Sequence, residues 1–273
     1  MRRITIMGVI NVTPDSFSDG GLFLDPARAV EHAHALIADG AEWLDVGGES
    51  SRPGALSVSA AEERARILPV IRALSRAVRV PISIDTTKSE VASAALDEGA
   101  SLVNDIEAGV HDPQMLPLVA RRGAQYCAMH MQGRPRDMQI EPRYHNVLGE
   151  VAAFLDERRE AAIHAGIEPS RILLDPGIGF GKTLEHNLAL LRGLPHLLEL
   201  GAPLLVGVSR KSFLAKLVES SGRVAPPAQD RAALTLAAEL HAARQGAAVI
   251  RTHDVRALRE AWLVESALSA GAG

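Results

Sequence analysis

Asp85, Asn104 and Asp175 are the residues of this chain with the most chemistry to offer. Each closes a short apolar run: Ile84 precedes Asp85, Leu102-Val103 precede Asn104, and Leu173-Leu174 precede Asp175. Carboxylates and a carboxamide that are partly desolvated need donors, and a flat heterocycle with ring N–H and amino groups supplies them in one plane. Divalent-metal binding by the acids is the competing reading. No His/Asp/Glu spacing here resembles a dedicated metal triad, so heterocycle recognition ranks above it. A second constellation is cationic. Ser209-Arg210-Lys211-Ser212 precedes a helical segment, and the free N–H groups of such a helix start favour an anion by roughly 0.3–1 kcal/mol before side chains are counted. A basic pair beside a helix is often only solvated surface. Arg251 and His253, at the end of the last apolar run, tip the balance toward anion binding.

A third polar feature lies near the start. Asn11 to Gly21 (N-V-T-P-D-S-F-S-D-G-G) follows the apolar run Ile4 to Ile10. A stretch with carboxylates, hydroxyls and one aromatic cannot fill a core without leaving polar groups unsatisfied, so it is a surface loop, longer than a simple turn requires. Pro176 to Thr183 (P-G-I-G-F-G-K-T) ends like a phosphate-binding loop, but Pro176 stands where that motif needs Gly, and G-x-G-x-G is not the dinucleotide fingerprint. The remaining roles for this run are a tight turn that lets a ligand approach the backbone, and a helix start near Thr183. No serine or cysteine nucleophile has a base beside it in sequence.

These groups need a scaffold that carries them to one place. β-branched apolar runs at 3–9, 42–46, 80–85, 101–105, 125–130, 171–175, 203–208 and 247–252 read as strands. Helical segments near 26–38, 60–77, 88–98, 113–122, 146–165, 184–193, 211–219 with 229–245, and 254–269 separate them. Residues 220–227 read as a surface loop, and no interdomain linker is evident, so residues 1–273 are expected to form one domain. Eight strand-helix units favour a closed (β/α)8 barrel over an open doubly wound sheet. In a barrel every strand end converges on one rim: Asn11, Asp45 to Gly54, Asp85-Thr86, Asn104-Asp105, Met129-His130-Met131, Asp175-Pro176-Gly177, Ser209 to Ser212 and Arg251 to Asp254. An isolated Asp at a strand end is usually a helix cap; polar groups at all of them mark a functional rim.

The bulk properties narrow the partners. Of the 273 residues 47% are hydrophobic, only 3% are aromatic, and the net charge is −4. That excludes base-stacking nucleic-acid binders and offers no global basic field for a phosphate backbone. The lone Cys127 rules out a disulfide framework and, with no apolar run long enough for a bilayer, points to a cytoplasmic protein with no membrane partner.

Taken together, the runs N-V-T-P-D-S-F-S-D-G-G, D-V-G-G-E-S-S-R-P-G-A, S-I-D-T, N-D-I, M-H-M-Q-G, L-D-P-G-I-G-F-G-K-T, S-R-K-S-F and R-T-H-D-V, in this order from Met7 to Val255, resemble the dihydropteroate synthase family of folate biosynthesis. The resemblance implies a transferase that joins hydroxymethyl-dihydropterin diphosphate to p-aminobenzoate. It implies a pterin site in which Asp85, Asn104, Asp175 and Lys211 bond the ring edges and Arg251 stacks on the ring. It assigns the diphosphate to Asn11, Arg251 and His253, with Mg2+ as cofactor on Asn11, and the p-aminobenzoate to Phe17, Ser51, Arg52, Pro53, Phe180 and Ser212 with Lys211. Lys211, Arg251, His253 and Asp85 are then the groups expected at the reacting centre. A homodimer and competition by sulfonamides are also implied.

Departures from the family pattern are few. Ser51 keeps the hydroxyl of a commoner Thr, Glu107-Ala108 replaces a small pair, and Leu234 replaces a Gly. Glu107 is expected to add negative charge near the rim and to lower substrate affinity. A noncatalytic pterin-binding paralogue would have lost loop or anion-site residues, and none is lost. A pterin-dependent methyltransferase domain leaves S-R-K-S-F and the long first loop unexplained.

Overall fold

The computed structural model describes residues 3–12 and 25–270. The elements run β1 (Thr5–Asn11), α1 (Pro26–Ala38), β2 (Trp43–Gly47), α2 (Ala60–Ala77), β3 (Ile82–Asp85), α3 (Ser89–Asp97), β4 (Leu102–Asp105), α4 (Met115–Arg122), β5 (Gln125–Met129) and α5 (Val147–His164). They continue with β6 (Ile172–Asp175), α6 (Leu184–Arg192), α7 (Leu194–Leu198), β7 (Leu205–Gly207), α8 (Ser212–Ser220), α9 (Ala232–Arg244), β8 (Val249–Thr252) and α10 (Val255–Ala270).

All strand pairings are parallel, in the order β6-β5-β4-β3-β2-β1-β8-β7. A parallel bridge between Leu174 and Leu204 brings the two ends of that order together, with the Leu174 N–H donating to the Pro203 carbonyl at 3.1 Å. The result is the (β/α)8 architecture expected from the alternation of runs.

Two apolar layers follow from the period-2 side-chain alternation of strands. Ile6, Leu44, Val103, Tyr126 and Leu174 face outward into the main core with the helices. Met7, Leu102, Cys127, Leu173, Leu205 and Val249 form a separate buried cluster drawn from different strands, which is the barrel interior. Two residues further along, the same inward face carries Asn104, Met129, Asp175, Gly207 and Arg251 at the C-terminal ends. The polar strand ends therefore point into one mouth, above an apolar plug. No described helix is long and apolar enough to cross a membrane.

Most element ends fall within two residues of the sequence reading, and three departures have an evident cause. α9 starts at Ala232 rather than 229, because Pro226 and Pro227 are followed by a 3-10 turn over Ala228–Asp230. β7 is shorter than expected because Pro203 has no N–H to pair. The short α7, with Pro195 in its first turn, follows Gly193 at the end of α6. Leu234, the departure in α9, packs against the core.

One buried acid makes the fold pH-sensitive. Glu239 on α9 is 1% exposed, and its Oε1 has no hydrogen-bond partner among the described residues. Burial pushes its carboxyl up to about 8, against a hydrogen bond with Thr252 of β8. The folded chain keeps this proton between the ordinary value of 4.5 and about 8, where the unfolded chain sheds it. This group's contribution to stability therefore falls as pH rises through that window, by at most about 1.4 kcal/mol per pH unit. Glu239→Gln should gain stability relative to the native chain on going from low to high pH, read from urea midpoints at the two ends of the window. An equal difference at both ends would contradict this.

Candidate active site

At the mouth, polar side chains of four strands interlock. The Arg251 guanidinium donates from Nε to Asp45 Oδ2 at 2.6 Å and from Nη2 to Asp85 Oδ2 at 3.2 Å. Asn104 Nδ2 donates to the same Asp45 oxygen at 3.2 Å. Burial pushes the Asp85 carboxyl up to about 7, reinforced by the charge of Asp45 and opposed by Arg251. Burial works against the charge of Arg251 too, but Asp45 and Asp85 outweigh it and hold the guanidinium above its usual value. Asp45 is fully buried. The sequence reading placed it among the strand ends without a role; its position on β2, level with Asn104 and Arg251 on their strands, was the available signal.

Across the mouth, Asp175 accepts the Gly177 N–H at 2.7 Å. Burial raises its carboxyl, with Lys211 pulling in the opposite direction. Lys211 Nζ donates to the Ile178 carbonyl at 2.5 Å and lies 4.6 Å from the centre of the Phe180 ring. Burial lowers its ammonium to about 8.

Beneath this wall sits Lys182, 1% exposed. Its Nζ donates to the carbonyls of Phe180 at 2.9 Å and His130 at 3.3 Å, and lies 3.0 Å from His130 Nδ1. Burial lowers the Lys182 amine to about 7 and the His130 imidazole to about 3, the latter helped by the Lys182 charge. This lysine was dismissed with the phosphate-loop reading, and only its three-dimensional contacts reveal its use.

The glycine run now has a cause. Gly177 and Gly181 have φ of +65° and +60°, and a Cβ there would lie 1.8 Å from the His130 carbonyl oxygen and 2.2 Å from that of Gln132. The tight turn is present, but what approaches its backbone is the loop after β5. Thr183 caps α6 in a capping box with His186, as its position suggested.

The end of the mouth where an anion is expected lies after β7 and β8. Ser209 Oγ accepts the His253 N–H at 3.2 Å and lies 3.0 Å from His253 Nδ1. Burial, then the positive charges of Arg251, Arg210, Arg52 and Lys211, push the imidazole down to about 3. His253 is thus neutral, a hydrogen-bonding group rather than a cation, and the positive charge belongs to its neighbours. Arg210 is left-handed, with φ of 60°, held by its N–H to Thr235 Oγ1 at 3.0 Å and by Arg231 Nη1 to its carbonyl at 2.9 Å. This strained turn feeds α8, whose N-cap Lys211 makes no side-chain cap hydrogen bond and whose first residue, Ser212, is exposed.

The remaining expected residues line the rim. Asn11 ends β1. Ser51, Arg52 and Pro53 stand in the loop after β2, which reaches the loop after β5 through the Gly54 N–H and the Pro135 carbonyl at 3.0 Å. Phe17 lies outside the described residues. Glu107 is in the turn after β4, its N–H donating to Asp105 Oδ1 at 2.9 Å.

A barrel mouth with a polar floor at one side and converging cations at the other defines an enzyme of the (β/α)8 class for a small ligand with a flat polar head and an anionic group. The family model described as pterin binding enzyme matches residues 7–253. The dihydropteroate synthase of Synechocystis sp. is 44% identical over 98% of this chain and 91% of its own, and that of Escherichia coli (strain K12) 45% identical over 97% and 92%. Among solved structures, the Yersinia pestis dihydropteroate synthase with a sulfonamide drug complex is 42% identical with a TM-score of 0.91, covering 98% of this chain and 95% of that one. The Xanthomonas albilineans enzyme in complex with 7,8-dihydropteroate is 41% identical with a TM-score of 0.86, covering 98% and 94%. The chain belongs to the dihydropteroate synthases, a family of transferases within the pterin binding enzymes.

The glycine geometry gives a direct test. Gly177→Ala should lose roughly 2 kcal/mol or more of stability, from positive φ and from the collision with His130. Denaturant unfolding would measure it, and a variant as stable as the native chain would refute the packing account.

Proposed function

We propose that the rim makes 7,8-dihydropteroate from 6-hydroxymethyl-7,8-dihydropterin diphosphate and p-aminobenzoate, with the whole chain acting as one domain around it. The observation that carries this reading is the juxtaposition of Asp85, Asn104 and Asp175 with Lys211 and Arg251: acceptors for a donor-rich ring stand beside a lysine that reaches the ring edge and an arginine that can also meet its diphosphate. The arylamine nitrogen attacks the exocyclic methylene, the C–O bond to diphosphate breaks, and the amine gives up a proton. The ring's electron-rich system supports positive charge on that methylene as diphosphate leaves, so the protein's work is to orient the two reactants and stabilise the departing anion.

Asp175 and Lys211 take the ring edge, with Asp85 and Asn104 opposite, and Arg251 faces the ring. Asn11, Arg251 and neutral His253 hold the diphosphate. Phe17, Ser51, Arg52 and Pro53 enclose the arylamine against Phe180 and Lys211, and the Ser212 hydroxyl and the α8 start take its carboxylate. Among the described residues no group of carboxylates, histidines and cysteines could hold a metal ion alone. The Asn11 carboxamide, at the end of β1, offers a hard oxygen of the kind Mg2+ takes and would hold it beside the diphosphate. Mg2+ would there neutralise charge on the leaving group. A homodimer, a cytoplasmic location and competition by sulfonamides belong to the same proposal and rest on the family resemblance.

Purified protein with both substrates and Mg2+ should release diphosphate only when p-aminobenzoate is present; no product at saturating substrates, beside an active relative, would refute the activity. Asp175→Asn exchanges a carboxylate that accepts two donors for an amide with one acceptor, and should weaken pterin binding by roughly 2 kcal/mol. Unchanged affinity by calorimetry in a folded variant would contradict the assignment. p-Aminobenzoate alone should bind poorly, because Ser212 is exposed and a neutral hydroxyl beside a solvated helix start holds a carboxylate by only about 1 kcal/mol. Binding to the free protein as tight as to its Mg2+-diphosphate complex would overturn that order.

A further inference from the structure

The loop after β2 carries Ser51, Arg52 and Pro53, and its base is pressed onto the barrel wall. Gly48 has no room for a side chain, since a Cβ would lie 2.6 Å from Ile67 Cγ2 on α2. Arg66, on the same helix, donates to the Gly48 carbonyl at 2.8 Å. The next residue, Glu49, pairs with Lys88. The ammonium of Lys88 also lies 2.6 Å from Glu63 Oε2 on α2.

Glu63 is 0% exposed. Burial pushes its carboxyl up while Lys88 pulls it down. A buried carboxylate that loses its cation is strongly destabilised, so this amine is not a surface decoration. Lys88 is the N-cap residue of α3, in the short link from Asp85, and its N–H donates to Thr86 Oγ1 at 3.3 Å. The Ser89 N–H donates to Asp112 Oδ2 at 2.7 Å, which pins the start of that helix. One ammonium thus joins the strand end that carries Asp85, the helix beneath the loop, and the loop itself.

We infer that Lys88 is a positioning residue for the arylamine substrate: through Glu49 it sets the place of Ser51, Arg52 and Pro53, without touching either substrate. The inference rests on the assignment of that loop to p-aminobenzoate. With Lys88 removed, Glu49 and Glu63 repel across the gap and the loop base is freed, whereas the pterin floor keeps its own ties through Asp45 and Arg251. The effect should therefore fall on one substrate only.

The test is steady-state kinetics on Lys88→Met, Lys88→Arg, Glu49→Gln and Arg52→Met, with each substrate varied in turn. Lys88→Met should raise KM for p-aminobenzoate about tenfold and leave KM for the pterin diphosphate within about twofold, and Lys88→Arg, which keeps the charge, should recover most of the loss. Should Lys88→Met fail to fold, Glu49→Gln carries the test, since Glu49 is less buried than Glu63, with a smaller rise in the same KM alone. An arylamine KM unchanged in these variants while Arg52→Met raises it overturns the inference and spares the loop assignment. An arylamine KM unchanged in Arg52→Met overturns the loop assignment and the inference with it. Equal rises in both KM values in a folded Lys88 variant would show a general structural role and overturn the inference as well.

Discussion

The Arg251 guanidinium comes from β8, yet its hydrogen bonds go to Asp45 on β2 and Asp85 on β3. Through the shared Asp45 oxygen the network reaches Asn104 on β4. Acids at the mouth of a barrel are desolvated by the walls around them, and two facing carboxylates would each favour a proton without a cation between them. Arg251 supplies that cation and holds it in place at both ends. Gly207 on the neighbouring strand leaves space beside it, since a Cβ there would come only to 3.7 Å from that of Arg251. The arrangement fixes a flat cationic group over the floor from which Asn104 and Asp175 rise.

The same desolvation shifts the protonation of several neighbouring groups. It moves Asp85 up to about 7 and Lys211 down to about 8. It also keeps His253 neutral near neutral pH. Several groups of the mouth are therefore short of a counterpart, and under the proposed function a ligand with ring donors at one end and an anion at the other would satisfy them together. Lys182 plays the same part below the surface. It donates to the carbonyls of Phe180 and His130, and so locks the turn after β6 that carries Phe180 and offers the Ile178 carbonyl to Lys211.

Much of this was legible in the chain because strand ends in a barrel converge, so an apolar run closing in Asp, Asn, Lys or Arg already tells where that side chain goes. Asp85, Asn104, Asp175 and Arg251 could be read in this way. Asp45 could be seen as a strand end, but its partner is Arg251, 206 residues away, and no local pattern discloses such a pair. Lys88 and Glu63 were hidden for the same reason: each looks like an ordinary charge at a helix start. The glycines of the loop after β6 suggested close approach correctly, but periodicity cannot say whether a ligand or the chain's own backbone does the approaching. The short α7 was missed because Gly193 and Pro195 resemble a loop, and β7 was overdrawn because Leu204 bridges without extending the strand.

The account stands on Arg251 being placed by Asp45, and a double-mutant cycle measures that placement. Pterin diphosphate affinity would be determined by calorimetry for the native chain, Asp45→Asn, Arg251→Met and the double variant. Asp45→Asn should weaken binding about tenfold when Arg251 is present and hardly at all when it is Met, a coupling of more than about 1 kcal/mol. Losses that add to within about 0.5 kcal/mol would show that the two residues act independently on the ligand, and would contradict the account.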